Sequence, residues 1–222
     1  GGTMIVIDFM SILSGDSMLV LAYERMAHCD AKHLQAVLQL FTETALEIGE
    51  GQQYDMEFEA RDDVKEEEYI EMIRLKTSVL LACALKMGAI LADASEEDAN
   101  NLYKFGEQIG LAFQLQDDFL DVYGDPKVFG KEIGGDITSN KKTYMLIQAL
   151  RRAEGETLTE LQRWLSAEHP NPEEKIAAVT YIYKVTGVKQ LCEEQIDRYT
   201  RLGLESLARV ALPDATKQAL SD

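Results

Sequence analysis

The stretch SEEDANNLYKFGEQIGLAFQLQDDFLDVY, residues 95–123, decides the fold class. Ser95 with Asp98 three residues later is a capping-box pattern, which predicts that a helix starts at residue 96. Apolar residues occupy most sides of the helix that would follow, and this distribution is typical of a buried helix. The stretch therefore predicts a long interior helix over residues 96–123.

The rest of the chain favours the same class of structure. Proline is absent from the first 125 of its 222 residues, and no alternating pattern of β-branched residues indicates a strand. We therefore predict an all-α fold, a helical bundle that forms a single domain over residues 1–222. Apolar spacing and stop signals predict helices over residues 15–28, 31–60, 66–91, 96–123, 140–153, 157–166, 172–185, 188–207 and 214–220.

Composition excludes several classes of function. Lys and Arg number 22 against 39 Asp and Glu, and the net charge of −17 argues against non-specific binding to nucleic acid. The longest uncharged stretch around an apolar run, between Lys76 and Lys86, is too short to span a bilayer, so we expect no membrane insertion. Cys29, Cys83 and Cys192 form no paired pattern, which favours a reducing, cytoplasmic setting.

The predicted helix 96–123 carries a polar stripe. Gln114, Asp117, Asp118 and Asp121 fall within about 100° of one another around the helix axis. Three ionised carboxylates on a buried helix need a compensating cation, and oxygen ligands select a hard metal ion such as Mg²⁺. An acidic helix face in water is the alternative, but apolar residues such as Phe119 lie where that alternative needs polar ones.

Two glycines lie beneath the carboxylates on the same face of this helix. Gly106 and Gly110 have no side chains, and we expect the space to admit something long and apolar. Together with Phe113, they would form an apolar wall that shelters a reactive group from water.

Lysines occur at three places that would suit an anion. Lys76, followed by Thr77, falls on a helix face that also carries core residues, where a lysine needs an anionic partner. A lysine that extends from a surface helix into water is the alternative. Lys131 and Lys141 border a glycine-rich loop at the entry to a predicted helix, an arrangement that favours phosphate.

The order and spacing of these elements resemble those of the trans-isoprenyl diphosphate synthases. This is the polyprenyl synthetase family, which includes farnesyl and geranylgeranyl diphosphate synthases. The resemblance extends over nearly the whole chain and rests on Ile12-Leu-Ser-Gly-Asp16, Gly51-Gln52-x-x-Asp55, Lys76-Thr77, Phe113-Gln114-x-x-Asp117-Asp118-x-x-Asp121, Gly124-Asp125, Lys131 and Lys141.

The resemblance implies a helical bundle around a central cavity, a homodimer and Mg²⁺ as cofactor. It also implies a prenyltransferase that condenses an allylic diphosphate with isopentenyl diphosphate. Carried over by residue, the metal ligands would be Asp117, Asp118 and Asp121, with Asp117 the most direct. The side chains contacting the allylic diphosphate would be Lys76, Thr77, Gln114, Lys131 and Lys141, and the catalytic set would be Lys76, Thr77, Gln114 and Asp117.

The sequence departs from the family pattern at both ends. The first aspartate-rich motif of the family, which precedes the Ser-Gly-Asp segment, has no counterpart here, and the basic C-terminal tail is also missing. We therefore expect the chain to be incomplete at both termini, and whether these 222 residues are active alone stays open. A class I terpene cyclase and a non-catalytic subunit of a heteromeric prenyl synthase remain alternative functions.

Overall fold

The computed structural model describes residues 2–125 and 133–221, and within these ranges the chain forms helices and no strands. The predicted all-α fold is confirmed. None of the described helices combines the length and apolar character needed to cross a membrane. The helices are α1 (Gly2–Ala27), α2 (Ala31–Glu59), α3 (Glu66–Ile73), α4 (Val79–Leu91), α5 (Glu96–Tyr123), α6 (Gly135–Thr138), α7 (Tyr144–Arg152), α8 (Gly155–Ser166), α9 (Pro172–Thr186), α10 (Val188–Ala208) and α11 (Asp214–Ser221).

Helix α5 lies at the centre of the bundle and packs against both α4 and α10. Its bounds are the predicted ones, and the Ser95 side chain accepts a hydrogen bond of 3.1 Å from the backbone N–H of Asp98. The main core surrounds its C-terminal half, where Tyr69, Leu115 and Tyr183 are almost completely buried. The carboxylates of α5 therefore project from a rigid element.

The predicted helix over residues 66–91 is interrupted by a π turn, Arg74–Ser78, which joins α3 to α4. Helix α2 approaches this turn closely at Gly51. A β-carbon at Gly51 would lie 2.5 Å from the backbone nitrogen of Lys76 and 2.8 Å from the β-carbon of Leu75. Glycine at this position thus lets α2 pack directly on the backbone that carries Lys76.

Gly51→Ala should therefore destabilise the protein by about 1–3 kcal/mol, the usual cost of overpacking. Gly49→Ala is the matched control on the same helix, because a β-carbon at Gly49 would meet no atom within 4 Å. That control should be neutral or should stabilise the protein by up to about 1 kcal/mol through helix propensity. Urea denaturation measures both changes, and equal stability of the two variants would contradict the account.

The prediction that Gly106 and Gly110 leave room for an apolar ligand is wrong. A β-carbon at Gly110 would lie 2.6 Å from the α-carbon of Ser78, and one at Gly106 would lie 2.8 Å from that of Ala82. These glycines instead allow α5 to pack backbone against backbone on the π turn at Ser78 and on α4 at Ala82. Phe113, the third residue of the predicted wall, is 66% exposed in this chain, and its place in such a wall stays a prediction.

The helix predicted over residues 140–153 begins later, at Tyr144. Asn140 has a φ of +57°, a left-handed conformation that cannot belong to a right-handed helix. The side chain of Thr143 accepts a hydrogen bond from the backbone N–H of Leu146 and so caps the start of α7. Lys141 therefore lies in the non-helical segment before the helix, where its backbone carbonyl accepts a 2.9 Å hydrogen bond from the N–H of Thr143.

Candidate active site

A polar cavity of about 700 Å³ lies between the C-terminal end of α2 and the segment that follows α6. Its walls carry both signs of charge, with Asp55 and Asp62 on one side and Lys141 and Lys142 on the other. A cavity with ammonium groups in its wall suits an anionic ligand.

The π turn brings Lys76 to Asp55 of α2, and their ion pair has an Nζ to Oδ2 distance of 2.5 Å. Both side chains are partly buried, and Asp55 lines the polar cavity. The structure thus supplies the anionic partner that the sequence required for Lys76. The next residue, Thr77, donates a hydrogen bond of 3.4 Å from its hydroxyl to Oε1 of Gln114.

Asp118 is buried, with only 1% of its surface exposed. Its Oδ2 accepts a hydrogen bond from the hydroxyl of Tyr69, and its Oδ1 accepts bonds from Gln114 Nε2 at 3.2 Å and Lys141 Nζ at 2.9 Å. Burial, and then the negative charge of Asp118, raises the pKa of Tyr69 well above its usual value. The compensating cation for this carboxylate is therefore the ammonium group of Lys141.

Asp121 holds the segment of α6 against the end of α5. Its Oδ2 accepts a 2.9 Å hydrogen bond from the backbone N–H of Asp136, and its backbone carbonyl accepts a 2.7 Å bond from Gly134. Gly134 has a φ of +85°, which glycine adopts without strain. The turn at Gly134 thus brings Asp136 towards the stripe of α5.

Asp136 and Lys141 form a second ion pair, with an Nζ to Oδ2 distance of 3.3 Å. Burial raises the pKa of Asp136 to about 6; Lys141 opposes this rise, whereas Asp118 and Asp121 add to it. Burial alone would lower the pKa of Lys141, but Asp118 and Asp136 raise it above its usual value. Lys141 therefore stays charged although it is partly buried.

Asp117 is exposed, in contrast to its neighbour Asp118. Within residues 2–125 and 133–221, the carboxylate of Asp117 makes no hydrogen bond or ion pair. In the same residues, no group of three His, Cys, Asp or Glu side chains is close enough together to hold a metal ion. The metal role of Asp117, Asp118 and Asp121 stays a prediction, as does the diphosphate role of Lys131, which lies outside the described residues.

Two residues of this network were missed by the sequence analysis. Tyr69 gave no signal of its own in the sequence, because its hydrogen bond to Asp118 joins two separate helices, α3 and α5. Asp136 lies in the glycine-rich loop, where its approach to Asp118 depends on a tertiary turn that periodicity does not show.

The sequence model of the family described as Polyprenyl synthetase matches residues 5–183. A (2E,6E)-farnesyl diphosphate synthase of Mycobacterium bovis is 34% identical over 218 residues, covering 97% of this chain and 60% of the relative. A short chain isoprenyl diphosphate synthase of Methanothermobacter thermautotrophicus is 36% identical, covering 96% of this chain and 64% of the relative.

Solved structures show the same similarity. A crystal structure of a geranylgeranyl pyrophosphate synthase is 41% identical and superposes with a TM-score of 0.89, over 95% of this chain and 65% of that one. A geranylgeranyl pyrophosphate synthase from Corynebacterium glutamicum, solved in complex with isoprenyl diphosphate and magnesium, is 33% identical with a TM-score of 0.84, over 95% and 61% of the respective chains. The chain thus spans less than two thirds of the length of these proteins.

Proposed function

The chain belongs to the polyprenyl synthetase family, and from this premise we propose that its protein transfers prenyl groups. The reaction joins an allylic diphosphate to isopentenyl diphosphate and yields a longer isoprenyl diphosphate. Relatives whose names specify farnesyl, geranylgeranyl and short chain isoprenyl diphosphate synthases support this assignment.

The anchored ammonium group of Lys141 is the observation that carries the proposal. Lys141 lines the polar cavity, and two carboxylates, those of Asp118 and Asp136, keep its charge in place. Because Asp118 is buried, this anchor is shielded from water and fixes the lysine before a ligand arrives. A preorganised cation in a polar cavity fits the diphosphate group of the substrate.

Asp117 and Asp121 are the residues that would hold Mg²⁺. Both offer carboxylate oxygens one helical turn apart on α5, and Mg²⁺ commonly uses one or two carboxylates together with water and substrate phosphate. The carboxylate of Asp118 already accepts hydrogen bonds from Tyr69, Gln114 and Lys141, so we propose that it orients Lys141. When bound, the ion would neutralise charge on the diphosphate as it departs.

In the proposed mechanism, Lys76 and Lys141 donate hydrogen bonds to the allylic diphosphate, and Thr77 and Gln114 help to orient it. Lys131 would add a third ammonium group. The bond between the allylic carbon and the diphosphate oxygen then breaks, and the double bond of isopentenyl diphosphate attacks the carbocation. A proton is finally lost to the released diphosphate. The histidines, His28, His33 and His169, are distant in sequence from the acidic stripe, which favours this route over attack by a protein nucleophile.

We propose a homodimer as the assembled form and the cytoplasm as its location. Large apolar side chains on α4 and α5 support the dimer, because Leu80 is 54% exposed and Phe113 is 66% exposed in the single chain. The three free cysteines are compatible with a reducing compartment.

Removal of the ammonium groups should weaken binding of the allylic diphosphate. Lys76→Ala and Lys141→Ala should each cost about 1.5–3 kcal/mol, the range of a hydrogen bond to a charged group. Calorimetric titration with a non-hydrolysable allylic diphosphate analogue and Mg²⁺ measures the loss. Lys104→Ala, an exposed lysine on α5, is the control and should bind as the unmodified chain does. Unchanged affinity in both site variants would contradict the proposal.

A product assay separates the proposed function from its two alternatives. The complete protein is incubated with Mg²⁺, isopentenyl diphosphate and a labelled allylic diphosphate, and the labelled products are identified by chromatography and mass spectrometry. We expect a longer isoprenyl diphosphate. A cyclised hydrocarbon would instead indicate a terpene cyclase, and absence of any product would indicate a non-catalytic subunit.

A further inference from the structure

Lys175 on α9 is a buried lysine that the proposed mechanism does not use. Only 1% of its surface is exposed, and burial lowers its pKa. No carboxylate within residues 2–125 and 133–221 lies within ion-pairing distance of its ammonium group. Burial of an unpaired lysine is costly, so its contacts need an explanation.

The ammonium group of Lys175 donates two hydrogen bonds to the segment that leads to Lys141. One bond of 3.2 Å goes to the backbone carbonyl of Thr138, the last residue of α6, and one of 2.5 Å goes to Oδ1 of Asn140. Asn140 in turn donates from Nδ2 to the carbonyl of Leu165 at 2.9 Å. Lys175 therefore ties α9 to the end of α6 and, through Asn140, to the end of α8.

Ile176, the next residue of α9, contacts the same segment at its other end, at Gly134. A β-carbon at Gly134 would lie 2.6 Å from Cδ1 of Ile176, so this isoleucine packs directly against the turn. Consecutive residues of α9, Lys175 and Ile176, thus contact both ends of the stretch 134–140. The stretch carries Asp136, whose backbone carbonyl accepts a 3.0 Å hydrogen bond from the N–H of Lys141.

We propose that Lys175 is a positioning residue for diphosphate binding, acting through Lys141. By fixing Thr138 and Asn140, it sets the start of the non-helical segment from which the Lys141 side chain reaches Asp118 and Asp136. Lys175 is itself buried and is not among the residues that line the polar cavity. The inference rests on the proposed function, because it requires that Lys141 binds the diphosphate.

A double-mutant cycle tests this link, with inorganic pyrophosphate and Mg²⁺ as the probe and calorimetric titration as the readout. Lys175→Met should weaken pyrophosphate binding roughly 10-fold, and Lys141→Met should weaken it roughly 10- to 100-fold. In the Lys141→Met background, Lys175→Met should cause less than about a twofold further loss, because the residue through which it acts is gone. If the loss of affinity in the double variant equalled the sum of the two single losses in free energy, the inference would be overturned.

Three further variants separate positioning from a general loss of structure. Asn140→Gly tolerates the positive φ and removes the side chain that Lys175 holds, so it should reproduce the loss of affinity. Lys184→Met changes an exposed lysine on α9 and should bind pyrophosphate as the unmodified chain does. Val179→Ala removes a buried side chain one turn further along α9; it should lower the melting temperature but not the affinity.

The outcomes distinguish the inference from the function on which it rests. If the unmodified chain binds pyrophosphate with Mg²⁺ but Lys175→Met and Asn140→Gly bind it equally well, the inference falls and the proposed function stands. If the unmodified chain binds no pyrophosphate, both fall.

Discussion

Asp117→Ala should lower the turnover of the complete enzyme by at least about 100-fold, equivalent to about 2.7 kcal/mol of activation free energy. The reason is that this exposed carboxylate would help to hold the ion that neutralises the departing diphosphate. The free energy of unfolding should change by less than about 0.5 kcal/mol, as is usual for an exposed position. Steady-state kinetics at saturating Mg²⁺, together with urea denaturation, measures both quantities. Turnover close to that of the unmodified enzyme would contradict the assignment.

Asp118→Ala should lower the free energy of unfolding, whereas Asp117→Ala should leave it nearly unchanged, although the two aspartates are adjacent in sequence. Asp118→Ala removes a buried carboxylate from Tyr69, Gln114 and Lys141, and the buried hydroxyl of Tyr69, left without its partner, costs about 1–3 kcal/mol. Urea denaturation of the 222-residue chain measures this change, with Asp117→Ala as the matched control. If both variants were equally stable, the buried network would not have the structural role assigned to it.

Local sequence signals were sufficient for the fold class and for the central helix. The capping pattern at Ser95 and the apolar surroundings of α5 both depend on near neighbours in the chain, and both predictions are confirmed. The interruption at Arg74–Ser78 was not predictable in this way, because it accompanies the close approach of Gly51 from a separate helix. Periodicity alone continues through such a turn.

In the candidate site, too, local sequence predicts some features, whereas others depend on contacts between separate helices. The polar stripe of α5 and the anion requirement of Lys76 follow from charge and burial, and the partner of Lys76 is Asp55. The stripe alone could not show which aspartate faces the core, because neighbouring residues on a helix differ by only about 100° in direction. That choice depends on Tyr69 and on the turn at Gly134, which supply the buried partners of α5.

The proposed mechanism requires the site to withdraw diphosphate from an allylic substrate before a new carbon–carbon bond forms. A fluorinated allylic diphosphate tests this order of steps, because fluorine destabilises the carbocation while leaving the diphosphate unchanged. With the complete enzyme under conditions where chemistry limits the rate, we predict a severe decrease in turnover and nearly unchanged binding of the fluorinated substrate. An unchanged rate would contradict the carbocation mechanism and the function proposed from it.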